Sequence, residues 1–181
     1  MKTSDIDILL CVERRTIDAD HWVQRWSRNL KTGRLVEVAT SKVTQEAYGG
    51  ACIVEATKSA TRPVVLVGYH LGIVAIAQSA VDLDMSRVKG AFFVAPPDLT
   101  LCSASVTAEA GQVSSAPLPF PSLMIASRSD PRCSFEKASE MALAWGSHLV
   151  DAGEVGQIDT SSGHGPWPEG LMRLGWFLKR L

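Results

Sequence analysis

The stretch PVVLVGYHLGIVAIAQ, residues 63–78, decides the fold. Its opening, Val64 to Gly68, is too continuously apolar for a half-exposed strand and reads as a parallel strand covered on both faces. It ends in Gly68-Tyr69-His70-Leu71-Gly72 and passes at once into an apolar segment that reads as a helix over 70–82. Gly-x-x-x-Gly between such a strand and such a helix marks a sharp turn, the one that lifts a serine above the sheet in Gly-x-Ser-x-Gly proteins. The requirement is steric, because side chains flanking the central residue would collide with strand or helix. Gly68 and Gly72 meet it. The helix behind the turn aims its N–H groups and positive dipole end at the site. The central residue, however, is His70.

Outward from this turn, short β-rich runs alternate with helix-compatible stretches. Strands are expected at 6–12, 34–39, 63–68, 90–96, 122–127 and 148–153, and helices at 18–30, 41–59, 70–82, 134–146 and 168–181. An aspartate stands near the start of the first helix, and Gly49 and Gly50 weaken the middle of the second. Repeated βα alternation predicts an α/β fold: a doubly wound, mainly parallel six-stranded sheet with helices on both faces. Residues 98–121, rich in small residues and ending in prolines, break the rhythm and read as a mobile surface loop or a lid.

The 181 residues fit one domain, 1–181, and 46% hydrophobic residues suit a compact core. A net charge of -1 without a basic block argues against nucleic acid or an anionic membrane as partner. No apolar stretch approaches the ~20 residues that cross a bilayer, and the N-terminus lacks the ~7–15 apolar residues of a signal peptide. Four scattered cysteines, Cys11, Cys52, Cys102 and Cys133, form no CxxC pair. A reducing, cytoplasmic setting is the expectation.

Several segments carry a resemblance. DHWVQRWSRNL (20–30), RPVVLVGYHLGIVAIAQ (62–78), GAFFVAPPD (90–98) and above all residues 117–170, which end in SSGHGPWPEG, resemble the small single-domain serine-hydrolase-like proteins of the YdeN and retinoblastoma-binding-protein-9 type. That compact branch of the α/β hydrolases implies strand order 2-1-3-4-5-6 and a Ser, Asp, His triad in that chain order. The nucleophile position falls on His70, the acid position on Asp130 in SRSDP, and the base position on Gln157 in VGQID. The resemblance also implies a glycine-rich loop after the first strand, whose amides serve an oxyanion; Cys11, Val12, Glu13 and Arg14 stand there instead. Losing a nucleophile, a base and an oxyanion donor together would leave acyl transfer near background.

Different chemistry could occupy the same position. His70 could act as a phosphoryl nucleophile, but no phosphate cradle accompanies it. His70, Asp130 and His164 could form a metal site, and His164 could serve Cys11 as a displaced base. A simpler arrangement has His70 filling an inherited pocket and bonded to Asp130. Cys11 and Cys133 would make a redox pair if they met. Trp22 and Trp26, one turn apart, read as packing residues together with His21. His148 reads as surface or structural, and Trp167 as a plug at the end of the site loop.

The expected protein is a pseudo-hydrolase, binding a small molecule or protein partner through a cleft of His70, Tyr69, Leu71, Asp130, Gln157, His164 and Cys11. Asp130 is the one retained triad position; no cofactor and no metal are expected. The alternative is a hydrolase of small esters or thioesters with an altered catalytic constellation.

Overall fold

The computed structural model describes residues 1–13, 17–38, 50–102 and 115–181. Six strands, β1 (Asp7–Val12), β2 (Gly33–Glu37), β3 (Val64–Tyr69), β4 (Val88–Val94), β5 (Ser122–Ala126) and β6 (His148–Asp151), form one sheet of order β2-β1-β3-β4-β5-β6. All five pairings are parallel. Order and direction match the expectation, and "mainly parallel" becomes parallel throughout the described strands.

The helices are α1 (Trp22–Asn29), α2 (Gly50–Lys58), α3 (Leu71–Ser79), α4 (Phe135–Trp145) and α5 (Pro168–Leu178). Strand alternation divides the core between them. Leu9, Cys11, Val64 and Leu66 face the layer of α2, α3 and α4, with Ile53, Ile73 and Trp145. Ile8, Leu10, Val65 and Val67 face that of α1 and α5, with Trp22, Trp26 and Phe177. β1 and β3 are buried at every residue, which is why their sequences run apolar without alternation.

Several boundaries move for local reasons. The first helix begins later than expected because its cap is His21, whose Nδ1 accepts the Val23 N–H, rather than an aspartate. The helix expected over 41–59 is described only as α2, since 39–49 lie outside the described residues. The helix expected over 70–82 starts at Leu71 and finishes in a 3₁₀ turn at Ala80–Asp82. Ser134 caps α4 through the Lys137 N–H, and Gly146, at φ 68°, ends it in the left-handed conformation. Of the segment 98–121, residues 103–114 lie outside the described residues; Leu99–Leu101 form a 3₁₀ turn. No described helix is long and apolar enough to cross a membrane.

Strand order reverses between β1 and β3, so the crevice at their C-terminal ends lies at the switch point of the sheet. The His70 turn stands there.

Candidate functional site

The elbow is formed as its glycines predict. His70 has φ 49° and ψ -119°, a conformation that costs free energy for any residue with a side chain. Its N–H donates to the Val94 carbonyl at 3.2 Å, and its own carbonyl accepts the Ile73 N–H at 3.0 Å. A Cβ on Gly72 would lie 2.6 Å from the Cys11 carbonyl carbon and closer still to its oxygen; one on Gly68 would press against Ile73 and Ile76. The end of β1 therefore packs directly on the first turn of α3. Among the described residues only Ala95 and Ile158 share a positive φ without being glycine, and both also lie beyond C-terminal ends of strands.

The His70 ring is 7% exposed, and neither nitrogen meets a hydrogen-bond partner among the described residues. Burial lowers its pKa to about 4, and the Arg132 charge lowers it further in the same direction. The imidazole is therefore neutral at pH 7. The expected bond to Asp130 is not formed. Asp130 Oδ1 instead accepts the Arg132 N–H at 2.8 Å, a turn closed within its own loop, and buried Oδ2 has no partner among the described residues. Strand β4 also separates the two strands that carry these residues. Burial raises the Asp130 pKa to about 6, against the Arg132 amide, which lowers it; the Asp159 charge adds to the rise.

Gln157 sits in a tightly fastened loop. The Tyr69 hydroxyl donates to its carbonyl at 3.2 Å, and Trp22 Nε1 donates to the Ile158 carbonyl at 2.9 Å. Ser127 Oγ accepts the Val155 N–H and Ser129 Oγ the Gly156 N–H, each at 3.0 Å. Asp159 and Ser162 cap each other, and Thr160 donates to Asp18. This loop is held from β3, α1 and the Asp130 loop at once.

The remaining expected residues divide. Tyr69 is buried, with its ring 4.6 Å from His21 and 6.3 Å from His70, and burial raises its pKa above the usual range. His164 pairs its Nδ1 with Ser162 Oγ at 3.1 Å and lies edge-on to Trp167. Cys11 and Leu71 do not face the cleft with their side chains: both lie in the core beside α2 and α3. Burial drives the Cys11 thiol pKa far up, and its Sγ donates to the Leu9 carbonyl. Cys133 belongs to a different cluster, with Ala126 and Ala138, so the two thiols are not brought together. Among the described residues no three His, Cys, Asp or Glu side chains converge as metal ligands would, so the His/Asp/His arrangement is not formed. Trp22, Trp26 and Trp167 pack together in the core, and His148 opens β6 on the surface against Trp176.

One residue has more to it than its pattern suggested. His21 is 1% exposed, and its buried Nε2 has no partner among the described residues. Because Nδ1 accepts the Val23 N–H, the neutral ring carries its proton on Nε2. Its pKa is lowered to about 4, chiefly by burial. Arg132 and Asp159 also bear on the site through charge. Nothing in the spacing of SRSDPR or GQID distinguishes them from ordinary loop residues.

The fold has known counterparts. A protein described as a YdeN-like hydrolase, from Pectobacterium atrosepticum, is similar at 29% identity over 97% of this chain and 91% of its own, with a TM-score of 0.80. The ydeN product of Bacillus subtilis is similar at 15% identity over 96% and 98%, TM-score 0.74, and an esterase domain from Rhodothermus marinus at 14% over 97% and 87%, TM-score 0.68. No curated protein sequence matches. The family model for "Serine hydrolase" matches residues 14–176. By that match, which takes in every strand after β1 and the whole elbow, the chain belongs to the serine hydrolase family, on an α/β-hydrolase-like fold.

Proposed function

We propose that the protein is a non-catalytic member of its family, a pseudo-hydrolase that binds a small molecule or a protein partner through the cleft at the elbow. The observation that carries this reading is His70. It occupies the strained turn at the nucleophile position with a neutral imidazole and, among the described residues, no base or orienting carboxylate against either nitrogen. A serine nucleophile needs a hydroxyl, an imidazole beside it and a carboxylate behind that imidazole. Here the first position holds the imidazole itself, the acid position bonds its own loop, and Gln157 stands at the base position. Loss of nucleophile or base in such a triad lowers turnover on the order of 10⁶-fold.

The strain supports binding over decay. Positive φ at His70, Ala95 and Ile158 accompanies a Gln157 loop that is fastened at several points. A scaffold kept in this state still presents a shaped surface. The test is p-nitrophenyl acetate and butyrate hydrolysis by the purified full chain, with fluorophosphonate labelling alongside. Background turnover and no label are expected; turnover at enzymatic rates that disappears in His70→Ala would overturn the reading.

A further inference from the structure

Buried polar side-chain atoms in folded proteins are nearly always hydrogen-bonded, so a concentration of unpaired ones points to a ligand. Among the described residues, four such atoms fall on three side chains at one end of this sheet: His70 Nδ1 and Nε2, His21 Nε2 and Asp130 Oδ2. His21 and His70 are both more than nine-tenths buried and flank the Tyr69 ring. Asp130, at the end of β5, stands two strands away from His70. Strands β3 and β5, which lead into these two residues, run about 10 Å apart at ~4.8 Å per strand, a spacing on the scale of a small molecule.

The chemistry of these atoms restricts what fits. His21 Nε2–H is a donor, since Nδ1 is committed to the Val23 amide. Asp130 Oδ2 accepts when ionised. His70 offers one donor and one acceptor, and no partner fixes which nitrogen is which. No single full charge is favoured across the whole site, because the charges near its two ends are of opposite sign. The Arg132 cation bears on His70, while the Asp159 carboxylate bears on both Asp130 and His21. A hydroxyl is the neutral group that donates and accepts through one atom, so neighbouring hydroxyls can meet all three side chains whichever tautomer His70 takes.

We propose that the cleft takes a neutral small molecule bearing adjacent hydroxyl groups, a polyol or sugar, with His70 and Asp130 as its principal contacts and His21 as the donor at the back. This deepens the pseudo-hydrolase reading and rests on it, because a site that turned its ligand over would need groups these three do not supply. His70 and Asp130 thus exchange inherited catalytic positions for a hydrogen-bonding pair.

The experiment uses the full chain with D-glucose, D-ribose and myo-inositol as probes, and sodium butyrate and methylammonium chloride as charged controls. Thermal unfolding is followed with each compound at about 50 mM, a concentration at which millimolar binding shifts the transition measurably. A melting-temperature rise of about 2 °C or more is expected with at least one hydroxylated probe and with neither ion. His70→Leu and Asp130→Ala should each weaken that binding at least about tenfold, the cost of a lost buried hydrogen bond. Imidazole ¹⁵N shifts of the unmutated chain provide a second readout, independent of how the variants fold; the His70 and His21 signals should move with the same probe. Unmoved imidazoles and no thermal shift with any hydroxylated probe overturn the proposal. A response to butyrate or methylammonium alone also overturns it, yet leaves the non-catalytic binding reading standing. Ester turnover, by contrast, sinks that underlying reading whatever the sugars do.

Discussion

His70 occupies a conformation in which glycine would be unstrained, yet carries a large aromatic ring held away from water. Such a state persists only where neighbours over-determine it. Gly72 is the decisive neighbour, since it lets the Cys11 carbonyl lie against the first turn of α3. Gly72→Ala should therefore cost about 3 kcal/mol or more, because the obstacle is backbone that cannot rotate away. Gly175→Ala, in the interior of α5 with no atom near the added methyl, should instead stabilise by about 0.5–1 kcal/mol. Urea unfolding of both variants checks the pair; equal effects would mean that the elbow is not the rigid junction described. These steric requirements were legible in the sequence, because two glycines around one residue, set between an apolar strand and an apolar helix, fit little besides a sharp strand-to-helix turn. The fate of the polar atoms was not. Whether Asp130 turns to His70 or closes its own loop is decided by a backbone amide two residues on, which no periodicity records.

At the scale of elements, the loop carrying Gln157 depends on strand β5. Ser127, just past that strand, is buried; its Oγ accepts the Val155 N–H and donates to the Gly153 carbonyl at 3.2 Å. One hydroxyl thus ties the exit of β5 to the exit of β6. Ser127→Ala should cost about 1–3 kcal/mol, since the Val155 amide loses its partner in a region of restricted water. The more specific expectation is local. Amide hydrogen exchange at Val155 and Gly156 should accelerate while β3 and β4 amides keep their protection. Uniform acceleration would show that the loop opens only with the whole domain. Element existence was readable throughout, from continuous burial in β1 and β3 and from the Trp22–Trp26 spacing in α1. Boundaries were less so: α1 is capped by His21, a residue whose place on the buried face made it look like packing alone. Strand order came from the resemblance and not from periodicity, because alternation fixes which elements exist and leaves their neighbours open.

For the molecule as a whole, two buried imidazoles and the half-buried Asp130 carboxyl make stability depend on pH in opposing directions. His70 and His21 have pKa values lowered to about 4, mainly by burial, from an unfolded value of 6.5. The folded state favours their neutral forms. Their contribution is complete above pH 6.5 and is lost as pH falls toward 4, each on the order of 3 kcal/mol. Asp130 works the other way: raised to about 6 from 3.8, it contributes below pH 3.8 and loses that contribution as pH rises through 6. The charges that modulate these groups, Arg132, Asp159, Asp18 and His164, are smaller causes than burial for all three. Two imidazoles outweigh one carboxyl, so the melting temperature should fall between pH 6.5 and 4.5. His70→Leu should flatten that fall by removing one of the two imidazoles. Asp130→Asn, which keeps an Oδ1 for the Arg132 amide, should raise stability at pH 7 and steepen the fall on acidification, because the opposing carboxyl is gone. Parallel profiles for the unmutated chain and His70→Leu would mean that burial does not hold the His70 imidazole neutral in solution, and that His21 alone sets the acid limb.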